Sequence, residues 1–187
     1  MSKTNNEKNL PKIHARKIVA QSRLFRVEQI DLEFSNGAKR EFERIAGNGR
    51  GGVMVLPLTQ DNHLLLIREY AAGPHSYQLG FPKGLIDPGE TPAEAGNREL
   101  QEEVGFAAEQ FDELKSLAMA PTFFKAHMHV FIAQVLTESR LDGDEPEPLE
   151  VVKWPIDKID ELLAQPDFTE ARSIAALLLF ERWRNQK

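Results

Sequence analysis

The sequence predicts a mixed α/β (α+β) fold, because strand-like patterns surround one helix whose two ends are clearly marked. Residues 27–34 alternate polar and apolar side chains, which is the period of a half-buried strand. The runs VMVLPL and HLLLIREY are apolar enough for buried strands. Thr91 and Glu94 form a capping-box pattern that begins a helix, and Gly105 is suited to end it.

The first part of the chain predicts a small antiparallel β layer. Residues 1 to about 11 are polar and are expected to form a loose arm, followed by the layer over residues 15–46. Within the layer, EQIDLEF and AKREFERIA flank Asn36-Gly37, a pair typical of a two-residue type I′ hairpin turn. We therefore place an N-terminal arm and β layer at residues 1–46 and a second domain at residues 47–187.

The second domain begins after the glycine-rich loop GNGRGG, and its two apolar runs are separated by the turn sequence TQDN. Pro92 is suited to the first position of the helix, where a missing N–H costs nothing. The elements expected after this helix are strands at FDELKSLAMA, HMHVFIAQV and VVKW, an acidic loop at 139–150, a short helix near 156–164, and an amphipathic helix from about Thr169 to Arg184.

Composition excludes several classes of function. The chain has 187 residues and no cysteine, so it offers neither a disulfide framework nor a cysteine-ligated zinc site nor a thiol nucleophile. Its formal net charge of −6 argues against a nucleic-acid partner, which would need a basic surface. No stretch of about 18 apolar residues is present, so we expect no membrane partner and a cytoplasmic location.

Three carboxylates mark the helix as a candidate metal site. Glu99, Glu102 and Glu103 share one helix face, where like charges repel one another. Carboxylate oxygens are hard ligands that suit Mg²⁺ or Mn²⁺, and these ions readily share substrate phosphates. Because successive helical residues point about 100° apart, Arg98 is expected to face away from the metal and to hold Glu90 and the preceding loop.

The 23 residues from Gly84 to Phe106 resemble the Nudix box, Gly-x5-Glu-x7-Arg-Glu-U-x-Glu-Glu-x-Gly-U, at every defined position. The resemblance implies a Nudix α/β/α sandwich and a hydrolase that cleaves nucleoside diphosphates linked to another group, using two or three Mg²⁺ or Mn²⁺ ions. It implies Glu99, Glu102, Glu103 and the carbonyl of Lys83 as metal ligands. It gives structural roles to Gly84, Glu90, Arg98 and Gly105.

The flanking segments resemble ADP-ribose pyrophosphatases within that family. By this resemblance Glu145 in the acidic loop is the base and Glu147 a further metal ligand, with Glu147 and Glu150 left open as alternative bases. An acidic loop that only improves solubility is the other interpretation. Arg44 and Arg68 are candidate substrate-binding residues, although Arg44 could equally be a surface charge of its strand.

The implied reaction is hydrolysis of ADP-ribose, diadenosine di- or triphosphate, or NADH, with release of AMP. Many ADP-ribose enzymes carry Arg-Gln-Tyr-Arg where this chain reads Arg68-Glu69-Tyr70-Ala71, so one expected arginine is missing. QLGFPKGLIDPGE and GDEPEPLEVVKW are most similar to bacterial hydrolases of ADP compounds. The alternatives are a nucleotide sensor without turnover and a pyrophosphatase for another nucleoside diphosphate.

Because the edge of the β layer needs a partner, and related hydrolases pair through such a layer, we expect a homodimer.

Overall fold

The structure is a computed structural model that describes residues 9–47 and 49–186, and it has the predicted α+β class. Its contacts divide the chain into two compact units. The first unit is the chain through Gly49 together with Ala118–Ala126, and the second is Arg50–Leu117 with His127–Lys187. Across the described residues, none of the helices has both the length and the apolar character needed to cross a membrane.

The first unit contains the expected antiparallel layer. Its strands are β1 (Lys12–Gln21), β2 (Arg26–Glu33) and β3 (Lys39–Ile45), arranged in that order. Ile30, the buried residue of β2, pairs with Phe42 on β3. Every residue of β1 is exposed, and within the described residues β2 is the one strand with which β1 pairs.

The hairpin between β2 and β3 corrects one prediction, because its turn is not the two-residue type I′ form. Gly37 has a φ of 80°, but Asn36 does not have the positive φ that type I′ also requires. The Gly37 N–H donates to the Phe34 carbonyl at 2.9 Å, and the Phe34 N–H donates to the Ala38 carbonyl at 2.9 Å. The loop is therefore three residues long, with glycine in the left-handed position that follows a tight turn.

The second unit contains two sheets. Its strands are β4 (Gly52–Pro57), β5 (His63–Ala71), β6 (Ser76–Gly80), β7 (Lys83–Leu85), β8 (Phe106–Met119), β9 (Ala126–Glu138) and β10 (Glu150–Pro155). One sheet has the order β7-β4-β9-β8, with β4 parallel to β9, and the other has the antiparallel order β10-β5-β6. The last two residues of β8, Ala118 and Met119, and the first residue of β9, Ala126, belong to the first unit.

Three helices complete the second unit: α1 (Pro92–Glu103), α2 (Ile159–Leu163) and α3 (Ala171–Arg184). Helices α1 and α3 both contact β4, all six of whose residues are buried. A strand buried along its whole length has both faces covered, as expected in an α/β/α sandwich. Helix α3 begins at Ala171, because Glu170 caps it by accepting a hydrogen bond from the Ser173 N–H.

Helix α1 begins and ends as its sequence predicts. The Glu94 N–H donates to Thr91 Oγ1 at 3.3 Å, and the Thr91 N–H donates to Glu94 Oε2 at 2.7 Å, which completes the capping box. Gly105 has a φ of 85°, the left-handed conformation that ends a helix. Both ends of the helix that carries the acidic residues are therefore fixed by local hydrogen bonds.

Candidate active site

Two of the three acidic residues of α1 are turned toward the protein interior. Glu99 and Glu103 are 8% and 7% exposed, whereas Glu102 is half-buried. Burial opposes ionisation of both side chains: it raises the pKa of Glu99, and it raises the pKa of Glu103 to about 8. Buried carboxylates of this kind are stabilised by a nearby cation, which agrees with the proposed use of this face to bind metal.

The loop before α1 anchors these two side chains. The backbone N–H of Lys83 donates to Glu103 Oε2 at 2.8 Å. At Gly84, a Cβ atom would overlap with the carboxyl group of Glu99, so only glycine leaves the room that this carboxylate occupies. Strand β7 and helix α1 therefore hold the two glutamates as one preformed unit.

Arg98 lies closer to the acidic face than the sequence suggests. It holds Glu90, as expected, with its Nε atom 2.8 Å from Glu90 Oε1. The expectation that it faces away from the metal residues is wrong, because Nη1 also donates to Glu99 Oε1 at 2.8 Å and to Glu102 Oε2 at 2.9 Å. The long guanidinium side chain reaches around the helix, which a comparison of Cβ directions does not capture.

The guanidinium of Arg98 also fixes the loop, since Nη2 donates to the Leu85 carbonyl at 2.9 Å. Glu90 in turn accepts the N–H of Asp87 at 3.0 Å. Its pairing with Arg98 lowers the pKa of Glu90. The glutamate is therefore ionised, and it closes the tight turn that carries Gly89.

Oxygen donors are the chemistry that Mg²⁺ and Mn²⁺ prefer, so the carboxylates of α1 fit these ions. In the part of the chain that the structure describes, no three acidic or histidine side chains form a ready-made ion cage. Arg98 supplies positive charge to Glu99 and Glu102 in this arrangement. Arg98 thus holds in place two carboxylates whose oxygens are of the type that these cations prefer.

The acidic loop brings Glu145 to the same place. A cavity of about 510 Å³ is lined by Glu99, Glu102 and Glu103, hereafter the box glutamates. Lys83 and Gly84 of β7 and Asp142–Glu145 of the loop complete its lining. Burial raises the pKa of Glu145, and the nearby charges of Glu69 and Asp144 raise it further. A carboxyl group in this setting holds a proton more readily than one in open solvent, which suits a general base.

Glu147 is placed differently from Glu145. It lines an adjacent cavity of about 260 Å³ with the box glutamates, but its Oε1 accepts a hydrogen bond from the hydroxyl of Tyr77. Sequence analysis missed Tyr77, because an exposed tyrosine in a strand carries no local signal. It also missed Glu69, whose carboxylate pairs with the ammonium group of Lys83.

The two candidate substrate-binding arginines are both paired with carboxylates. Arg68 on β5 donates to Glu150 at 2.9 Å and also pairs with Asp167. Arg44 belongs to the first unit, where it contacts Glu28 at 2.6 Å. Within the second unit, Arg68 is not among the residues that line the cavity of the box glutamates. Their part in substrate binding therefore stays a prediction.

Two family models match the chain. One is the N-terminal domain of NudE-type Nudix hydrolases, over residues 11–44, and the other is the NUDIX domain, over residues 49–178. The chain belongs to the Nudix family. The box that carries the carboxylates described above lies inside the matched NUDIX domain, so the resemblance on which the site was predicted is confirmed at the level of the family.

Several relatives of known activity resemble this Nudix protein over most of its length. ADP compounds hydrolase NudE of Escherichia coli is 55% identical over 88% of each chain. ADP-ribose pyrophosphatase of Bacillus subtilis is 26% identical over 86% of this chain and 90% of its own. A crystal structure of an ADP compounds hydrolase superposes with a TM-score of 0.90 at 52% identity, covering 95% of this chain and 96% of that one.

Proposed function

We propose that this Nudix enzyme hydrolyses the diphosphate linkage of ADP-containing compounds and releases AMP. ADP-ribose, diadenosine di- and triphosphate and NADH are the proposed substrates. One observation carries the proposal: Glu145 and the three box glutamates line a single cavity, which offers both carboxylates for a cation and a separate carboxylate for a water proton. The similarity to hydrolases of ADP compounds and ADP-ribose supports the choice of substrates.

The proposed cofactor is Mg²⁺ or Mn²⁺, with two or three ions in each site. Glu99, Glu102, Glu103, Glu147 and the carbonyl of Lys83 are the groups that would hold them. When bound, such ions polarise phosphoryl oxygens and lower the pKa of coordinated water. Oxygen-only ligands and the burial of two carboxylates support this assignment.

The residues of the chain then have separate tasks. Glu145 accepts a proton from the attacking water, for which its raised pKa is suited. The Lys83 N–H holds Glu103, and the absence of a side chain at Gly84 leaves room for the carboxylate of Glu99. Both carboxylates are therefore in position before the reaction begins. Arg44 and Arg68 are proposed to bind the substrate, since a guanidinium matches phosphate geometry.

We further propose that the protein is a cytoplasmic homodimer that binds neither nucleic acid nor membranes. Strand β1 is exposed at all ten of its residues, and Ile13, Ile18 and Val19 are large apolar side chains among them. A long exposed strand with apolar residues favours pairing with a second copy. The net charge of −6 supports the expectation of small-molecule rather than nucleic-acid substrates.

Incubation with ADP-ribose and Mg²⁺, followed by chromatography of the products, tests the proposal. We expect AMP and ribose 5-phosphate, with turnover reduced about a hundredfold or more in Glu145→Gln, as for loss of a general base. The matched control is Glu109→Gln, which removes an exposed carboxylate of β8 outside the cavity. Comparison of kcat/KM for ADP-ribose, diadenosine polyphosphates and NADH ranks the substrates.

Two results would contradict the proposal. Binding of ADP-ribose without release of AMP would indicate a nucleotide sensor. Preference for a nucleoside diphosphate derivative without adenosine would indicate a Nudix pyrophosphatase of different specificity. Full turnover by Glu145→Gln would leave hydrolysis in place but would remove Glu145 as the base.

A further inference from the structure

Tyr77 contacts the acidic loop at Glu147, between the two ends of the loop. Its hydroxyl donates to Glu147 Oε1, and Glu147 lies two residues beyond Glu145. The hydrogen bond joins the loop to strand β6, from which it is 70 positions away in sequence. The side chain that holds the loop therefore comes from β6 rather than from the helix that carries the box glutamates.

The two ends of the loop are fixed by other contacts. At its beginning, the Ser139 N–H donates to the Gly105 carbonyl at 3.0 Å and Ser139 Oγ donates to Gln101 Oε1 at 2.8 Å. At its end, Leu149 packs against a hydrophobic core cluster, and Glu150 begins β10. Between these two ends, the Tyr77 hydroxyl contacts the loop at Glu147.

The ring of Tyr77 is itself held in place. It lies edge-on to Tyr70, its register partner across β5 and β6, with ring centroids 6.0 Å apart. The hydroxyl of Tyr70 takes no part in this ring contact, because it lies 2.8 Å from His75 Nδ1. Tyr77 is thus a fixed donor although its side chain is half-exposed.

We propose that Tyr77 is a positioning residue, which binds Glu147 and thereby keeps Glu145 over the box glutamates. This inference rests on the proposed function of Glu145 as the base. Tyr77 itself does not line the cavity that Glu145 shares with the box glutamates, so its effect passes through the loop. Loss of its hydroxyl leaves all cavity groups present but lets the loop adopt other conformations.

Tyr77→Phe removes the donor and keeps the ring. We expect kcat for ADP-ribose to fall about tenfold, equivalent to about 1.4 kcal/mol, with KM changed less than about twofold, because the base acts in the chemical step. Backbone amides of residues 142–149 should exchange hydrogen faster in this variant. In a Glu147→Ala background, Tyr77→Phe should have no further effect on kcat, since the bond is already absent.

Tyr70→Phe is the matched control, because it removes a neighbouring phenol hydroxyl that contacts His75 instead of the loop. It should keep the parental kcat and the parental exchange of residues 142–149. Equal losses in both Phe variants, or parental kcat and exchange in Tyr77→Phe, would overturn the inference. If the parental protein releases no AMP, the proposed function fails, whereas the exchange measurement still decides whether Tyr77 holds the loop.

Discussion

The carboxyl group of Glu99 lies against the Cα atom of Gly84, in the space that a Cβ atom would occupy. The glycine is therefore required by its neighbour rather than by its own backbone, because its φ does not lie in the left-handed region. The first residue of the box and a proposed metal ligand 15 positions later form one packed unit.

Gly84→Ala should consequently impair activity more than folding. The added methyl group displaces the Glu99 carboxylate, and we expect kcat to fall about a hundredfold, since small displacements of catalytic groups have effects of this size. Steady-state kinetics and thermal unfolding would measure the two effects. Gly73→Ala is the control, because nothing lies within 4 Å of a Cβ atom at Gly73. Parental kinetics in Gly84→Ala would contradict the proposed role of Glu99.

Arg98 should contribute strongly to stability, because it pairs with Glu90, Glu99 and Glu102. Arg98→Ala leaves the buried carboxylate of Glu99 and the half-buried carboxylates of Glu90 and Glu102 without their cation. We expect a loss of about 2–4 kcal/mol in the free energy of unfolding in the absence of metal, as for a broken buried ion pair. Urea unfolding followed by circular dichroism would measure it.

Lys153→Ala is the comparison for Arg98→Ala, since it breaks an ion pair with Asp61 in which both side chains are at least half-exposed. Screening by solvent makes such pairs weak, so the urea midpoint should hardly move. A similar shift of the urea midpoint in both variants would show that the ion pairs of Arg98 stabilise the protein no more than the exposed pair of Lys153 and Asp61.

Glu103 predicts a pH dependence of stability in the metal-free protein. Burial raises its pKa from 4.5 to about 8, so the folded state binds a proton that the unfolded state releases. The contribution of Glu103 to the free energy of unfolding is therefore largest below pH 4.5, and this contribution is lost as the pH rises toward 8. In the presence of a chelator, the Tm should fall by several degrees between pH 6 and pH 8 through this group.

Glu103→Gln should flatten that pH dependence, because the amide does not ionise, and it should keep the fold. Its kcat should fall by orders of magnitude at saturating Mg²⁺, since the charge of a proposed metal ligand is lost with little change in volume. A variant that retained the parental kcat, or the parental change in Tm with pH, would contradict the assignment of Glu103.

The proposed homodimer predicts a sedimentation mass of about twice 21.2 kDa at micromolar concentration. Ile18 is 48% exposed on β1, and Ile18→Asp places a charge in this strand. We expect this variant to sediment as a monomer, whereas Ile18→Val should remain a dimer. A parental mass near 21.2 kDa would refute the proposal.

Local signals predicted most of the fold correctly. The limits of α1 are set by groups within a few residues of one another, namely Thr91 with Glu94 at one end and Gly105 at the other. Alternation and apolar runs located the strands for a similar reason, since the pattern of apolar residues within a strand indicates which of its faces are buried. The box glutamates meet on one face because the helix period alone places them there.

The predictions that were wrong or missing depend on contacts between residues that are far apart in sequence, or on the reach of a long side chain. The turn at Gly37 includes one more residue than the Asn36-Gly37 pair indicates, because the registry of two strands decides where the turn closes. The contacts of Arg98 depend on the reach of a long side chain. The bond from Tyr77 to Glu147 joins residues 70 positions apart, so no spacing rule could have indicated it.

The hydrogen bond that anchors Glu103 comes from the main chain of Lys83 and not from its side chain. Exchanging that lysine for another L-amino acid other than proline keeps the amide donor, while the ammonium that contacts Glu69 disappears. Position 83 therefore offers a place where the charge lining the cavity can be redesigned, for example to change substrate preference, while the main-chain hydrogen bond to Glu103, a proposed metal ligand, is kept.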